Sequence, residues 1–473
     1  MHNQLSNFLL IDRIRPSSIS RTKKVDQFYS DRSRILYSSS FRRLQHKAQV
    51  FSLESNSSVR TRLTHSLEVS DLGRTLANKI ATKLYNKHLL SIRAVPEVVA
   101  IVENACLIHD IGNPPFGHFG EAAIKDWANR YFEESLLPNL TNIDMTLFQK
   151  LYKDFLEFDG NPQGFRIISK LHVEADKYSL NLTYATLLCS LKYSRSTDEE
   201  QGSGILKKAG YFQTEKTFVD ELYRAANMQL NHRYPLTYIM EAADDIAYCL
   251  SDISDGIEKR IITPELFISE FKAMWDKNFP NQSCPVPIPD YIKNFSLDIS
   301  VPWSKIVMEE AASNYISNYQ KFLDGSAQQL IPENSTGKIL DIIKKVSRKT
   351  LYTSIEAESI ELTGYAVITG ILKHYQRLIN LSYEDFQTIS QDEICKNLDF
   401  EKRLFNRLGK RYVIAYKHSL KEYHPEKECP PDINFRTYEL WLRIHLIIDH
   451  VSGMTDDFAL QTYQMLEGIN LLK

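Results

Sequence analysis

Residues 105–121 read ACLIHDIGNPPFGHFGE. The opening residues continue an apolar run through Val98, Val99, Ile101 and Val102, with Pro96 in a favoured first-turn position. This pattern predicts a central helix buried on nearly every face. His109 shares a face with Val102, Ala105 and Cys106, so it too is expected inside. Asp110 follows directly. An unpaired buried aspartate costs several kcal/mol, and a cation bound by the His-Asp doublet removes that cost. Gly112, Pro114 and Pro115 break the helix, and a Gly-His-Phe-Gly turn delivers His118. Glu121 is expected to open the next helix, running to about Glu134, whose free amides favour a nearby anion. Imidazole and carboxylate are the groups most used to hold a transition metal and to move a proton. Four of them within this stretch point to chemistry rather than packing.

Upstream, Leu72, Leu76, Ile80 and Leu84 predict a helix from Val59 to Lys87. At roughly 100° per residue, His65 falls on the face of Val69, Leu72 and Leu76, as either a core residue or a ligand. Arg60 and Arg62 flank it and suit an anionic ligand. In the segment FRRLQHKAQV (41–50), Arg42, Arg43 and Lys47 read either as a solvated face or as a basic contact, and Gln45 and Gln49 stay open. Residues 1–40 are polar with little periodicity.

Downstream, a helix over 183–193 ends in Lys192-Tyr193-Ser194-Arg195. Lys192 and Arg195 either complement its dipole or clamp a phosphate. A helix over 236–260 has a core stripe of Ile239, Ile246, Leu250, Ile253 and Ile257. Asp244, Tyr248 and Asp252 recur on the side roughly opposite. They read as a solvated acidic face or as a further metal ligand backed by a tyrosine and a second acid. Five prolines mark an irregular connection over 280–303. Helical patterns follow at 304–324, 338–353, 358–380, 400–420, 435–450 and 457–470, while alternating strands are scarce. The expected fold class is all-α, with a helical core and a long helical C-terminal half. Residues 1–40 form an N-terminal arm, 41–265 carry the chemistry, and 266–473 complete the pocket and an oligomer interface.

Lys and Arg number 57 against 59 Asp and Glu, a net charge of −2. That balance excludes a polycation wrapped in nucleic acid. No apolar run is long enough to span a membrane. Residues at the start, interrupted by Arg13 and Arg15, lack the apolar segment of a signal peptide. Six scattered cysteines without a CxxC pair argue against a zinc ribbon or disulfide scaffold. The expectation is a soluble cytoplasmic protein.

His65, the His109-Asp110 doublet and Asp244 resemble the HD superfamily of metal-dependent phosphohydrolases. The chain is similar more closely to the deoxynucleoside triphosphate triphosphohydrolases, and among them to the bacterial dGTPase branch. That likeness rests on FRRLQHKAQV (41–50), VRTRLTHS (59–66), HDIGNPPFGHFGEA (109–122), EAADDIAY (241–248), ELTGY (361–365) and SGMTD (452–456). The resemblance implies that His65, His109, Asp110 and Asp244 ligate a divalent metal ion, Mn²⁺ or Mg²⁺ with other transition metals compatible. Asp245 is the rival of Asp244. It implies His118 and Glu121 as the catalytic pair, Gln49 and Asp252 at a 3′-hydroxyl, and Tyr248 against C2′ of a deoxyribose. Arg62 and Lys192 fall at phosphate-binding positions and Glu361 near the base. Arg403 fits a later basic position of the branch, whereas Ile394 stands where an arginine is expected. The implied reaction converts a dNTP, foremost dGTP, into deoxynucleoside and tripolyphosphate. A homo-oligomer (a hexamer in the branch) and a dNTP or single-stranded DNA effector are implied as well. Two other readings differ in what they need. Another HD phosphohydrolase, a nucleotidase or alarmone hydrolase, keeps the metal ligands without the Gln49/Tyr248/Asp252 set. A nucleic-acid-binding regulatory protein would use Arg42, Arg43 and Lys47, with affinity falling steeply with salt.

Overall fold

The computed structural model describes residues 4–54, 56–173, 178–333, 335–391, 397–423 and 432–469. Among them, the helices that build and surround the site include α1 (Val25–Tyr37), α2 (Arg62–Asn86), α3 (Ala94–Ile108), α4 (Gly117–Tyr131), α5 (Tyr184–Ser190), α6 (Thr237–Glu258) and α7 (Pro264–Asn278). They continue with α8 (Val301–Ser317), α9 (Ser335–Thr350), α10 (Ile355–Ile379), α11 (Lys410–Tyr423), α12 (Ile433–Ser452) and α13 (Asp456–Leu466). Two short strands, β1 (Arg195–Ser196) and β2 (Ala209–Tyr211), pair in parallel. The all-α expectation stands. The main apolar cluster is continuous from Leu5 to Ala459, so N- and C-terminal halves share one interior.

Helices α2 and α3 pack along each other, and α6 lies against both. Their approach is close at Gly73, where a Cβ would come within 2.4 Å of Cys106 Sγ. Helix α2 starts at Arg62 rather than Val59, because Thr61 and Thr64 form a reciprocal capping box that sets the first turn. Its inward stripe runs through His65, Val69, Gly73, Leu76, Ile80 and Leu84. Helix α4 begins at Gly117, four residues before the expected Glu121. Pro114 and Pro115 end the preceding turn, Phe116 takes a left-handed conformation at φ 60°, and the chain is free to rewind at once.

Four further differences have physical causes. The polar segment 1–40 contains α1, whose inward stripe Phe28–Asp31–Ile35 is interrupted by a buried acid. Asp31 accepts hydrogen bonds from the Thr183 N–H at 3.0 Å and the Thr186 hydroxyl at 2.8 Å. Helix α7 lies in a stretch with no expectation attached, and the irregular connection ends near Phe295 rather than at 303. The pattern over 400–420 is two helices, Asp399–Phe405 and α11, divided at 406–409. Helix α6 has no solvated acidic face at Asp252, which is buried, and α9 packs on this helix beside Asp245 and Cys249.

Candidate metal centre and active site

Three helices converge on one pocket. His65 sits in the first turns of α2 and is fully buried, His109 caps the C-terminal end of α3, and Asp244 lies on α6. Asp244 Oδ1 is 3.4 Å from His109 Nε2 and 3.6 Å from His65 Nε2. The ligating atoms of these three side chains all lie within 4.8 Å of one another. His109 Nδ1 contacts the Cys106 carbonyl at 2.7 Å, which makes it the donor and leaves a lone pair on Nε2. Both nitrogens of His65 and Nε2 of His109 are buried without a hydrogen-bond partner. Ring nitrogens without partners, facing carboxylates, fit a cation that would replace their protons.

Asp110 stands at the edge of the group. Its Oδ1 is 3.6 Å from His109 Nε2 and accepts from Asn113 Nδ2 at 2.6 Å. Its Oδ2 accepts from the Arg62 guanidinium at 2.6 Å. Lys192 reaches Asp244 Oδ2 at 3.0 Å from just beyond the end of α5. Both expected phosphate-binding cations are thus parked on the carboxylates of this pocket. Burial opposes charge here, yet His109 and Arg62 hold the Asp110 carboxyl down at about 2. Burial likewise disfavours protonated His109, but Asp110 and Asp244 raise it to about 9. The pocket's potential favours positive charge strongly enough to overcome desolvation.

The α4 N-terminus supplies the second component. His118 is exposed, and its Nδ1 lies 3.2 Å from Oε2 of buried Glu121 on the same helix face. The hydrogen bond to Glu121 raises the His118 pKa against partial burial. Glu121 Oε1 is fixed by the Gly160 N–H at 2.8 Å. At Gly117, φ +55°, a Cβ would come within 2.8 Å of the Arg62 guanidinium.

On α6, one turn and two turns beyond Asp244, Tyr248 and Asp252 are bridged by a residue that sequence reading passed over. The Tyr352 hydroxyl meets the Tyr248 hydroxyl at 2.6 Å and donates to Asp252 Oδ2. Burial pushes Asp252 up to about 7, against the Tyr352 hydrogen bond. Its Oδ1, and Oε1 of Gln49, are buried without a partner. Glu361, on α10, is half-buried and lies in the electrostatic neighbourhood of His118.

Several sequence expectations are corrected. Arg60 does not accompany Arg62; it turns to Asp255 Oδ1 at 2.6 Å and to Glu68. Asp245 pairs with Lys344 at 3.1 Å outside the pocket, which leaves Asp244 with the histidines. Arg195 is buried against Glu157 and backbone carbonyls, not against a phosphate position. Arg403 is exposed beside Asp399, and Ile394 lies outside the described residues. Lys47 is neither solvated nor available to nucleic acid. It is buried, and its ammonium donates to the Asn113 carbonyl at 2.5 Å and the Ser452 carbonyl at 2.8 Å. Burial pushes its pKa down to about 7, with Asp456 opposing.

Comparison with known proteins adds two findings. Residues 62–150 match the family model of the HD domain. The chain is 35% identical to the deoxyguanosinetriphosphate triphosphohydrolase of Enterobacter sp. (strain 638), over 93% of this chain and 94% of that protein. It shows the same identity and coverage with the deoxyguanosinetriphosphate triphosphohydrolase of Klebsiella pneumoniae (strain 342).

Proposed function

The chain belongs to the deoxyguanosinetriphosphate triphosphohydrolase family of HD-domain proteins, and from that premise we propose how its residues divide the reaction. It is a dNTP triphosphohydrolase and uses a divalent metal ion. In this proposal dGTP is the foremost substrate, the products are deoxynucleoside and tripolyphosphate, and the ion is Mn²⁺ or Mg²⁺. The observation that carries it is the position of Asp244, whose Oδ1 faces two imidazoles with unpartnered ring nitrogens while Oδ2 holds Lys192.

His65, His109, Asp110 and Asp244 would hold the ion. When bound, a divalent cation supplies Lewis-acid polarisation of a phosphoryl oxygen and an activated water. With the two carboxylates neutralised, Arg62 and Lys192 turn from them to the triphosphate oxygens and offset charge that develops at the α-phosphate. His118, oriented through Nδ1 by Glu121, presents Nε2 for the proton that moves at O5′ or on the attacking water. Gln49 Oε1 and Asp252 Oδ1, both without partners, suit a ligand hydroxyl such as the 3′-OH. Tyr248, held by Tyr352, fills the space a 2′-hydroxyl would need. Glu361 approaches from the base side. A site built for the 3′-hydroxyl discriminates against dideoxy substrates.

The test is product analysis of the purified protein with each dNTP and GTP, with Mn²⁺ or Mg²⁺. Deoxynucleoside plus tripolyphosphate, with GTP untouched, is the expected result. Stepwise release of dNDP would overturn attack at the α-phosphate. Homo-oligomerisation belongs to the same proposal, supported by exposed Ile355 and Leu362 on α10, as does a response to a dNTP or single-stranded DNA effector. A cytoplasmic location is proposed too, supported by free thiols at Cys106, Cys189 and Cys249. No described helix is long and apolar enough to cross a membrane.

A further inference from the structure

We propose that Lys47 and Asp456 are positioning residues that clamp the loop between Asp110 and His118 from both of its ends. The inference rests on the functional reading above, which makes that loop the link between metal ligand and proton-transfer group.

Both side chains are only 3% exposed, and neither forms an ion pair among the described residues. Lys47 spends its charge on backbone, and Asp456 on two backbone N–H groups and the Ser52 side chain. The Lys47 ammonium donates to the Asn113 carbonyl at 2.5 Å and the Ser452 carbonyl at 2.8 Å. Asp456 accepts from the Phe116 N–H through Oδ1 and from the Ala48 N–H through Oδ2, each at 3.0 Å. The pair therefore grips Asn113 and Phe116, the residues on either side of Pro114-Pro115. Two prolines offer no N–H, so this loop has few internal hydrogen bonds with which to hold itself.

What the clamp sets is visible at each end. Asn113 holds Asp110 Oδ1 through its amide at 2.6 Å, so displacement of its backbone moves a carboxylate of the pocket. Phe116 is left-handed at φ 60°, an uncommon state for a large side chain that persists where neighbours enforce it. Its conformation aims the first turn of α4, and with it His118. The C-terminal segment 452–456 is more than 330 residues away in sequence. It is nevertheless part of the scaffold of the site, which accounts for the SGMTD block.

The test compares K47M, D456N and D457N with the wild type. K47M leaves two carbonyls unpaired; D456N turns an amide N–H toward a backbone N–H; Asp457 is exposed and serves as control. Three readouts are taken: hydrogen exchange of peptides over 45–49 and 110–118 in metal-free protein, Mn²⁺ affinity by titration, and kcat with KM for dGTP. Partners that orient a ligand typically change affinity or activity by about 10–100-fold. K47M and D456N should speed exchange in those two peptides, weaken Mn²⁺ binding about tenfold, and lower kcat with KM little changed, while D457N matches the wild type. A clamp variant with wild-type Mn²⁺ affinity and kcat, or variants that exchange faster throughout the molecule or fail to fold, would overturn the proposal and leave these residues as structural props. A wild type inert toward every dNTP would instead defeat the functional reading, and the exchange and Mn²⁺ readouts would still decide the clamp.

Discussion

Among the described residues, two histidine–aspartate clusters in the interior resolve the same chemistry in opposite ways. In the first, His65, His109, Asp110 and Asp244 face one another with imidazole nitrogens unpartnered and carboxylates held by Arg62 and Lys192. In the second, Asp154 accepts from Trp441 Nε1 at 3.1 Å, His445 Nε2 at 3.0 Å, the Gln213 N–H at 3.1 Å and the Thr197 hydroxyl. Asp449 nearby is saturated by Gln163 and Arg166. Desolvation wins in the second cluster: burial raises Asp154 to about 6 and lowers His445 well below its ordinary value. Charge wins in the first, where His109 rises to about 9 and Asp110 falls to about 2. Buried histidine and aspartate alone therefore do not mark a metal site. What distinguishes one is ligand atoms turned toward each other without hydrogen-bond partners, with cations on the carboxylates.

The comparison can be broken most decisively at His109. H109A should lose tight Mn²⁺ binding and at least about a thousandfold in kcat, the effect of removing several kcal/mol of transition-state stabilisation. Retained binding with full turnover would dissolve the contrast. Next in size is E121Q, which should lower kcat by about a hundredfold, within the range for a general acid–base pair. Because Glu121 raises the His118 pKa, its loss should also move the His118 limb of the kcat/KM profile to lower pH. An unmoved profile would detach His118 from that limb. Y352F removes the hydroxyl between Tyr248 and Asp252 and should cost up to about tenfold in dNTP over rNTP selectivity, the worth of one or two hydrogen bonds. Unchanged selectivity would make Tyr352 a bystander.

The smallest expected effect on catalysis comes from the second cluster. D154N should leave Mn²⁺ affinity and kcat within about twofold of the wild type, while shifting stability by about 1–3 kcal/mol. Its pH dependence has a definite sign. The folded pKa of about 6 lies above the ordinary value of 3.8, so the folded state binds the proton more tightly. Asp154 therefore contributes most below its unfolded value, and that contribution is lost as pH rises through 6. Asparagine should flatten this slope in melting curves across pH 4–7.

How much was readable from sequence follows the same physics. Helices α3 and α6 were legible because their apolar residues recur at helical spacing, and the HD doublet stood out because buried acids are costly. Helix α1 was not, since Asp31 occupies its buried stripe. Side-chain direction was the weak point. Arg60 and Arg62 are two residues apart, yet they serve different carboxylates because the Thr61 cap starts the helix between them. Lys47 stayed open between a solvated face and a basic contact because a lysine held by two backbone carbonyls leaves no trace in local sequence. Tyr352 was invisible for a related reason, as its partner Tyr248 is 104 residues away.

The most direct test of the central claim is anomalous diffraction from crystals soaked in Mn²⁺. One strong peak is expected among His65, His109, Asp110 and Asp244, none at Asp154 and His445, with Arg62 and Lys192 swung off the carboxylates. A peak absent from the first cluster, or both cations still bonded to Asp110 and Asp244 around it, would contradict the account.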